Sequence, residues 1–391
     1  MKKILVLLLA CMLSVHSTAA WNGTVSVITC APGDEAYSLF GHTGVRYRDA
    51  NNGTDVVFSY GYFDFGAPNF IWRFILGETD YMVGVVPYKH FIKEYEERGS
   101  AVVEQVLNLS PEQGEAIVEA LVENCRPENR VYRYNYFYNN CTTRVRDLVF
   151  AIIGDVNYTN NSSVAGITFR EALALLTEKH PWYAFGIDLL LGADVDKTAS
   201  RMELQFIPSF FMVDLDSVRL TGCGDSEKAL VEEKVHLLQE QSRADVKSNF
   251  TPFNASLLLL LLTMIVMLCE LRRRRTYWWY DVMLMLMQGI PGVLLLFMSL
   301  FSSHPGVACN WLLLLLNPLS LVLIPVLVYR IVKRKSLMIA WVQVAFVCLF
   351  FLSAAFVLQN YPTPIYFCAL ALLVRSLFHI YKEKICDLNL L

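Results

Sequence analysis

Five apolar runs close this chain, and no other feature limits its fold so strongly. They cover residues 256–271, 282–301, 311–332, 337–358 and 364–380, each near the ~20 residues that carry a helix across a bilayer. In hydrocarbon every backbone N–H and C=O must be bonded within its own segment, so the runs predict an all-α bundle of about five transmembrane helices. The loops orient that bundle. Arg272, Arg273, Arg274 and Arg275 follow the first run, Lys333, Arg334 and Lys335 the third, and Lys382 and Lys384 the fifth, whereas 302–310 and 359–363 hold no Lys or Arg. Positive charge gathers on the cytoplasmic side, which puts the tail 381–391 inside and everything before the first run outside.

The start of the chain agrees. Lys2 and Lys3 precede an apolar stretch at 4–13, and Ser17, Thr18, Ala19 and Ala20 give a small-residue cleavage site. This is the plan of a signal peptide over 1–20, with an uncleaved anchor as the alternative. Either way, residues from Trp21 onward are exported. The expected division is an exported domain at 21–221, a charged stalk at 222–255 (helical over 222–248), and a membrane domain at 256–380.

Few polar groups lie deep inside the runs, chief among them Gln288, Asn317, Gln343 and Arg375. Arg375 is expected to snorkel to the interface, and nothing resembles a proton relay, so a transporter is unsupported. Tyr277, Trp278, Trp279, Tyr280, Trp311 and Tyr361 read as interface anchors. With net charge −3 and no basic stripe, a nucleic-acid partner is excluded.

The exported half reads as α+β. Short β-like runs occur at 24–30, 44–47, 56–60, 81–86, from 101 to 107, and 131–137. Ser110 with Gln113, and Thr168 with Glu171, form capping boxes that start helices at 115–125 and 169–179. The apolar stretches 182–191 and 206–211 either dip toward lipid or line a groove for it, unless they are ordinary core.

Two places carry chemistry. His42 lies in Phe40, Gly41, His42, Thr43, Gly44, where a glycine-flanked turn enters a strand. Cys141 follows Tyr138, Asn139 and Asn140 and precedes a stretch whose apolar residues, Val145, Leu148, Val149 and Ile152, keep helical spacing. A thiol at a helix start meets unpaired N–H groups and partial positive charge, both favouring thiolate. An imidazole beside it would serve as base and later return the proton. His90 and His180 compete for that role but sit in surface or capping settings. The ten cysteines include no C-x-x-C, so neither a zinc knuckle nor a redox pair is indicated. An oxidising compartment would allow one disulfide, with Cys30, Cys125 and Cys223 the open candidates. No cofactor fingerprint occurs, so a cofactor-free protein is expected.

Several motifs together are familiar: Phe40 to Thr43; Tyr60, Gly61, Tyr62, Phe63, Asp64, Phe65; Asn69 and Phe70 with Gly77 and Tyr81; and Tyr136 and Phe137 before Asn140, Cys141, Thr142, Thr143 and Arg144. As a set they resemble the Lnb family, typical of Bacteroidota. The order of His before Cys is also similar to that of the permuted papain-like group. The resemblance implies a lipoprotein N-acyltransferase at the bacterial inner membrane, with a periplasmic permuted papain-like domain. It implies Cys141 as nucleophile and His42 as base. It further implies a membrane phospholipid as acyl donor and diacylglyceryl lipoproteins as acceptors. The papain-like pattern wants a third polar group, for which Tyr60 is taken, with Ser59 and Asp64 as alternatives. Arg46 and Arg144 are expected at the donor's phosphate, or else in surface ion pairs. A Cys/His peptidase or amidase acting on peptidoglycan peptides is the alternative enzyme, and an envelope sensor the non-catalytic one.

Overall fold

The computed structural model describes residues 21–159, 166–221, 227–241, 249–333 and 338–388. The expected signal peptide and Cys223 lie outside the described residues. Among the described residues ten strands are formed: β1 Gly23–Cys30, β2 His42–Asp49, β3 Thr54–Tyr62, β4 Asp80–Pro87, β5 Val102–Leu107, β6 Val131–Arg133, β7 Val156–Tyr158, β8 Val218–Thr221, β9 Glu227–Ala229 and β10 Val231–Leu238. Seven make an antiparallel sheet in the order β10-β5-β1-β2-β3-β4-β6, and β7-β8-β9 make a small second one.

Alternation along the strands separates two apolar layers. On one face Val27, Val45 and Phe58 meet Ile117 and Leu121 of helix Pro111–Asn124, Val145 and Val149 of helix Cys141–Ile153, and Phe211 of helix Pro208–Asp216. On the other, Ile28, Val57 and Val102 pack against Phe91 and Tyr95 of helix Tyr88–Arg98. The architecture is α+β. Both capping boxes form, Ser110 with Gln113 and Thr168 with Glu171.

Three expectations about the exported half change. The strand expected over 131–137 stops at Arg133, because Asn135 and Asn139 bridge each other and turn the chain. Residues 227–238 of the expected helical stalk are strands instead. β10 pairs with β5 at the sheet edge, and its exposed Glu232, Glu233 and Lys234 are the charges that protect such an edge. Of the two apolar stretches, Phe206, Ile207 and Phe211 are core. Helix Pro181–Leu190 instead sets Phe185, Leu189 and Leu190 against the membrane bundle.

The described C-terminal part has five helical segments long and apolar enough to span a bilayer: Pro252–Arg273, Trp278–Phe301, Trp311–Arg330, Met338–Ala355 and Thr363–Lys384. The third is broken. A 3-10 turn, Trp311–Leu314, gives way at Pro318 to helix Leu319–Val332. Gln288 repairs the break from the neighbouring helix, donating to Leu315 O at 2.6 Å and accepting from Ser320 Oγ at 2.9 Å. Asn317 caps the resumed helix through the Leu319 N–H. Backbone groups freed inside a bundle need such partners.

Arg375 does not snorkel. It is buried, and it bonds Asp281 at 2.7 and 2.8 Å and Glu270 at 2.7 Å. His379 reaches Asp281 at 2.9 Å and Lys382 reaches Glu270 at 3.0 Å. Opposite charges on three helices thus satisfy one another, the arrangement that lets ionisable groups sit within a bundle. Tyr280 is likewise internal, its hydroxyl 2.7 Å from Thr263 Oγ1, while Trp278, Trp279 and Trp311 remain outward.

The front domain rests on the two loops that lack Lys and Arg. Gly192 N donates to Gly306 O at 2.7 Å, Asn310 Nδ2 to Leu189 O at 2.8 Å, and Gln359 Nε2 to Leu191 O at 3.0 Å. A Cβ at Gly192 would stand 2.0 Å from Ala308 O, so only glycine fits there. Arg170, buried beneath this joint, bonds Asp196, Asp188 and the carbonyls of Leu191 and Gly192. Asp196 continues to Asn360 N at 3.1 Å. Replacing Arg170 by Leu strands two part-buried carboxylates, a loss of about 3–5 kcal/mol. A large fall in the thermal midpoint of detergent-solubilised protein is expected, together with faster proteolysis between the halves; an unchanged midpoint would refute the role.

Candidate active site

Asn140 sets the start of helix Cys141–Ile153. Its Oδ1 accepts from Thr142 N and Thr143 N, both at 2.9 Å, and its Nδ2 donates to Tyr136 O and Phe206 O at 3.0 and 2.8 Å. The cap consumes two of the free N–H groups and leaves that of Cys141 at the helix tip as a donor for a developing oxyanion. Thr142 Oγ1, 3.1 Å from Thr43 Oγ1, fastens the helix to the beginning of β2. His42 opens β2, and this seam brings it to the thiol.

The imidazole and the thiol are hydrogen-bonding neighbours. His42 Nε2 lies 2.7 Å from Ser59 Oγ, which fixes the ring beside the thiol. Across from His42, β3 bulges between Tyr60 and Tyr62 with Gly61 at φ +102°. A Cβ on Gly61 would lie 3.9 Å from Cys141 Cβ and 4.0 Å from His42 Cε1. Glycine is needed for the backbone there, and it leaves the pair open on that side.

Burial drives the Cys141 thiol up, but the His42 charge and hydrogen bond, with bonds from Thr43 N–H and Thr142, outweigh it and hold the thiol below its ordinary value. The other two described thiols of the front domain behave oppositely. Burial raises Cys30 far above the usual range and Cys125 to about 12. Both are free, and they belong to apolar layers on opposite faces of the sheet.

The other candidates separate cleanly. Tyr60 does not orient His42. Adjacent strand residues face opposite ways, so Ser59 turns to the imidazole while Tyr60 is 1% exposed in the core, accepting from Asn124 Nδ2 at 2.9 Å. Asp64 is spent on a turn, accepting from Gly66 N at 2.8 Å. Arg46 is not available to a phosphate: it is buried, paired with Asp55 at 2.8 Å and Glu104 at 3.0 Å, and stacked 3.4 Å from the Tyr88 ring centroid. Arg144 lies one helical turn from Cys141, over the Tyr132 ring at 4.0 Å, bonded to Asn139 Oδ1 at 2.8 Å. His90 is exposed on its helix and His180 faces Asp34 at 3.7 Å. Sequence reasoning quoted Asn140 and Gly61 within motifs but gave neither a role; an Asn immediately before a helical Cys was the readable sign of the first.

Two family matches bear on this arrangement. The Lnb N-terminal periplasmic domain matches residues 16–174, and the Lnb transmembrane domain matches residues 243–385. This chain belongs to the Lnb family. In this Lnb protein the first match contains both His42 and Cys141, and the second contains all five membrane-length helices. A periplasmic domain joined to a multi-pass membrane domain follows. Comparison with curated proteins and with solved structures gave no match.

In this Lnb protein, alkylation by iodoacetamide should fall on Cys141 well before Cys30 or Cys125. Its rate rises with pH through the depressed thiol value, since thiolate is the reacting form. His42→Ala removes the opposing charge and its hydrogen bond and leaves only the Thr43 and Thr142 bonds against burial, so the midpoint moves upward and the rate at pH 7 drops about tenfold or more. A midpoint that stays in place would contradict the pairing.

Proposed function

We propose that this protein transfers an acyl chain from a membrane phospholipid to the α-amine of diacylglyceryl-cysteine lipoproteins, through a thioester on Cys141. One observation carries the reading: the Cys141, His42 and Ser59 line stands at a helix tip, on a domain fixed to a transmembrane bundle. Membership of the Lnb family supports it.

In the first half-reaction Cys141 thiolate attacks an ester carbonyl of the donor. The Cys141 N–H receives the oxyanion. The acyl C–O bond breaks, and the leaving glycerol oxygen takes the imidazolium proton, giving lysophospholipid and acyl-enzyme. In the second, the lipoprotein amine attacks the thioester, His42 accepts the amine proton, and the C–S bond breaks to restore the thiolate. Ser59 positions the ring through Nε2, the part that orienting groups play in such sites. Arg144 has no carboxylate ion pair among the described residues, and it is the guanidinium we assign to the donor's phosphate. The front domain faces the periplasm and the C-terminus the cytoplasm. Arginines 272–275 and Lys382 lie on the far side of the bundle from the front domain, in keeping with the charge rule. Tethering keeps both lipid-anchored substrates within lateral reach.

Purified protein with phospholipid and a diacylglyceryl lipopeptide tests this by mass spectrometry. Wild type should yield lysophospholipid and a lipopeptide heavier by one acyl chain, and Cys141→Ser neither. Ser59→Ala should slow turnover about 10²-fold, with Tyr60→Phe near wild type. An unchanged lipopeptide from folded wild-type protein would overturn the reading, and peptidoglycan peptides would then be the substrates to try.

A further inference from the structure

Helix Phe70–Leu76 has no buried residue. Ile71 is 75% exposed, Phe65 66%, Trp72 53% and Phe74 48%. Its one cation is tied down, with Arg73 bonded to Asp80 at 2.5 Å and to Glu78 O at 2.8 Å. The outward face is therefore purely apolar.

The position of this helix explains that face. Ser303 N and Oγ donate to Leu76 O at 2.8 and 3.0 Å, and His304 Nε2 donates to Phe74 O at 2.6 Å. The second span ends at Phe301, so the helix is held two and three residues past the end of a membrane helix. Trp72 packs on Phe297 of that span with ring centroids 5.0 Å apart. The exposed patch is thus continuous with the outward side of the span, where Leu300 and Phe301 are also exposed.

A second observation links the patch to the thiol. Phe74 and Phe70 are 6.3 Å apart, Phe70 and Phe63 5.8 Å, Phe63 and Tyr81 4.9 Å, and Tyr81 and Tyr134 4.1 Å, all by ring centroid. Phe63, Tyr134 and Cys141 border the same apolar layer. A file of rings thus runs from the membrane boundary to the apolar layer that Cys141 borders.

We propose that the face of Ile71, Trp72 and Phe74 lies within the outer leaflet, and that one phospholipid acyl chain travels along Phe74, Phe70 and Phe63 to Cys141. Insertion follows from the apolar face at the bilayer surface, as for interfacial helices. The destination rests on the acyl-transfer reading above.

The full chain, reconstituted in phosphatidylethanolamine and phosphatidylglycerol vesicles with a phospholipid bearing a mid-chain diazirine, tests insertion without catalysis. Irradiation should leave adducts on residues 63–74 in wild type and in Cys141→Ser alike. Adducts confined to the five spans would overturn insertion. The path is tested by acyl-enzyme formation from vesicle phospholipid against that from a water-soluble short-chain ester. The double substitution Ile71→Ser, Phe74→Ser should lower the ratio of the two rates about tenfold, and an unchanged ratio would overturn the path. Adducts in wild type that forms acyl-enzyme from neither donor would refute the transfer reading while establishing insertion.

Discussion

One buried guanidinium holds the two halves of this protein in a single frame. Arg170 gathers two carboxylates and three carbonyls from the segment that meets the bundle, and Asp196 passes the link on to Asn360 in the last periplasm-side loop. A cation with so many acceptors has little freedom to move. The consequence is geometric. The sheet, and with it the Cys141 helix, stands at a set height above the ends of the spans, so the site has a defined distance to lipid.

Within that frame the reactive centre is a balance of opposed effects. Apolar and aromatic surroundings disfavour a thiolate, as Cys30 and Cys125 show. At Cys141 the His42 ring, the Thr43 N–H and the Thr142 hydroxyl reverse the sign. In the acyl transfer proposed above, dryness is useful, since a thioester among aromatic rings would be shielded from water while an amine is brought to it. Capping by Asn140 and the strand bulge at Gly61 are small features in sequence, yet together they decide where the sulfur points and which side of it stays open.

The bundle follows the same logic of satisfied polar groups. Gln288 and Asn317, few and apparently isolated in the sequence, mend the broken third span. Arg375 joins Glu270, at the end of the first apolar run, and Asp281, just before the second. Ion pairing between helices cannot be read from any one of them, because each partner belongs to a different segment and the pairing depends on rotation and depth.

By itself the sequence determined a good deal. The five runs and the α+β character of the front half are fixed by local physics, through backbone satisfaction in hydrocarbon and strand alternation. The helix starts at Ser110 and Thr168, and that at Cys141, were legible because capping and apolar spacing are short-range. Only the tertiary structure decided the rest. It chose Ser59 over Tyr60, since strand register sets which neighbour faces the imidazole. It withdrew Arg46 into an ion-pair network, and it turned residues 227–238 from an expected helix into sheet. Partners in those cases come from distant strands, and a chain carries no local record of which strand will lie beside it.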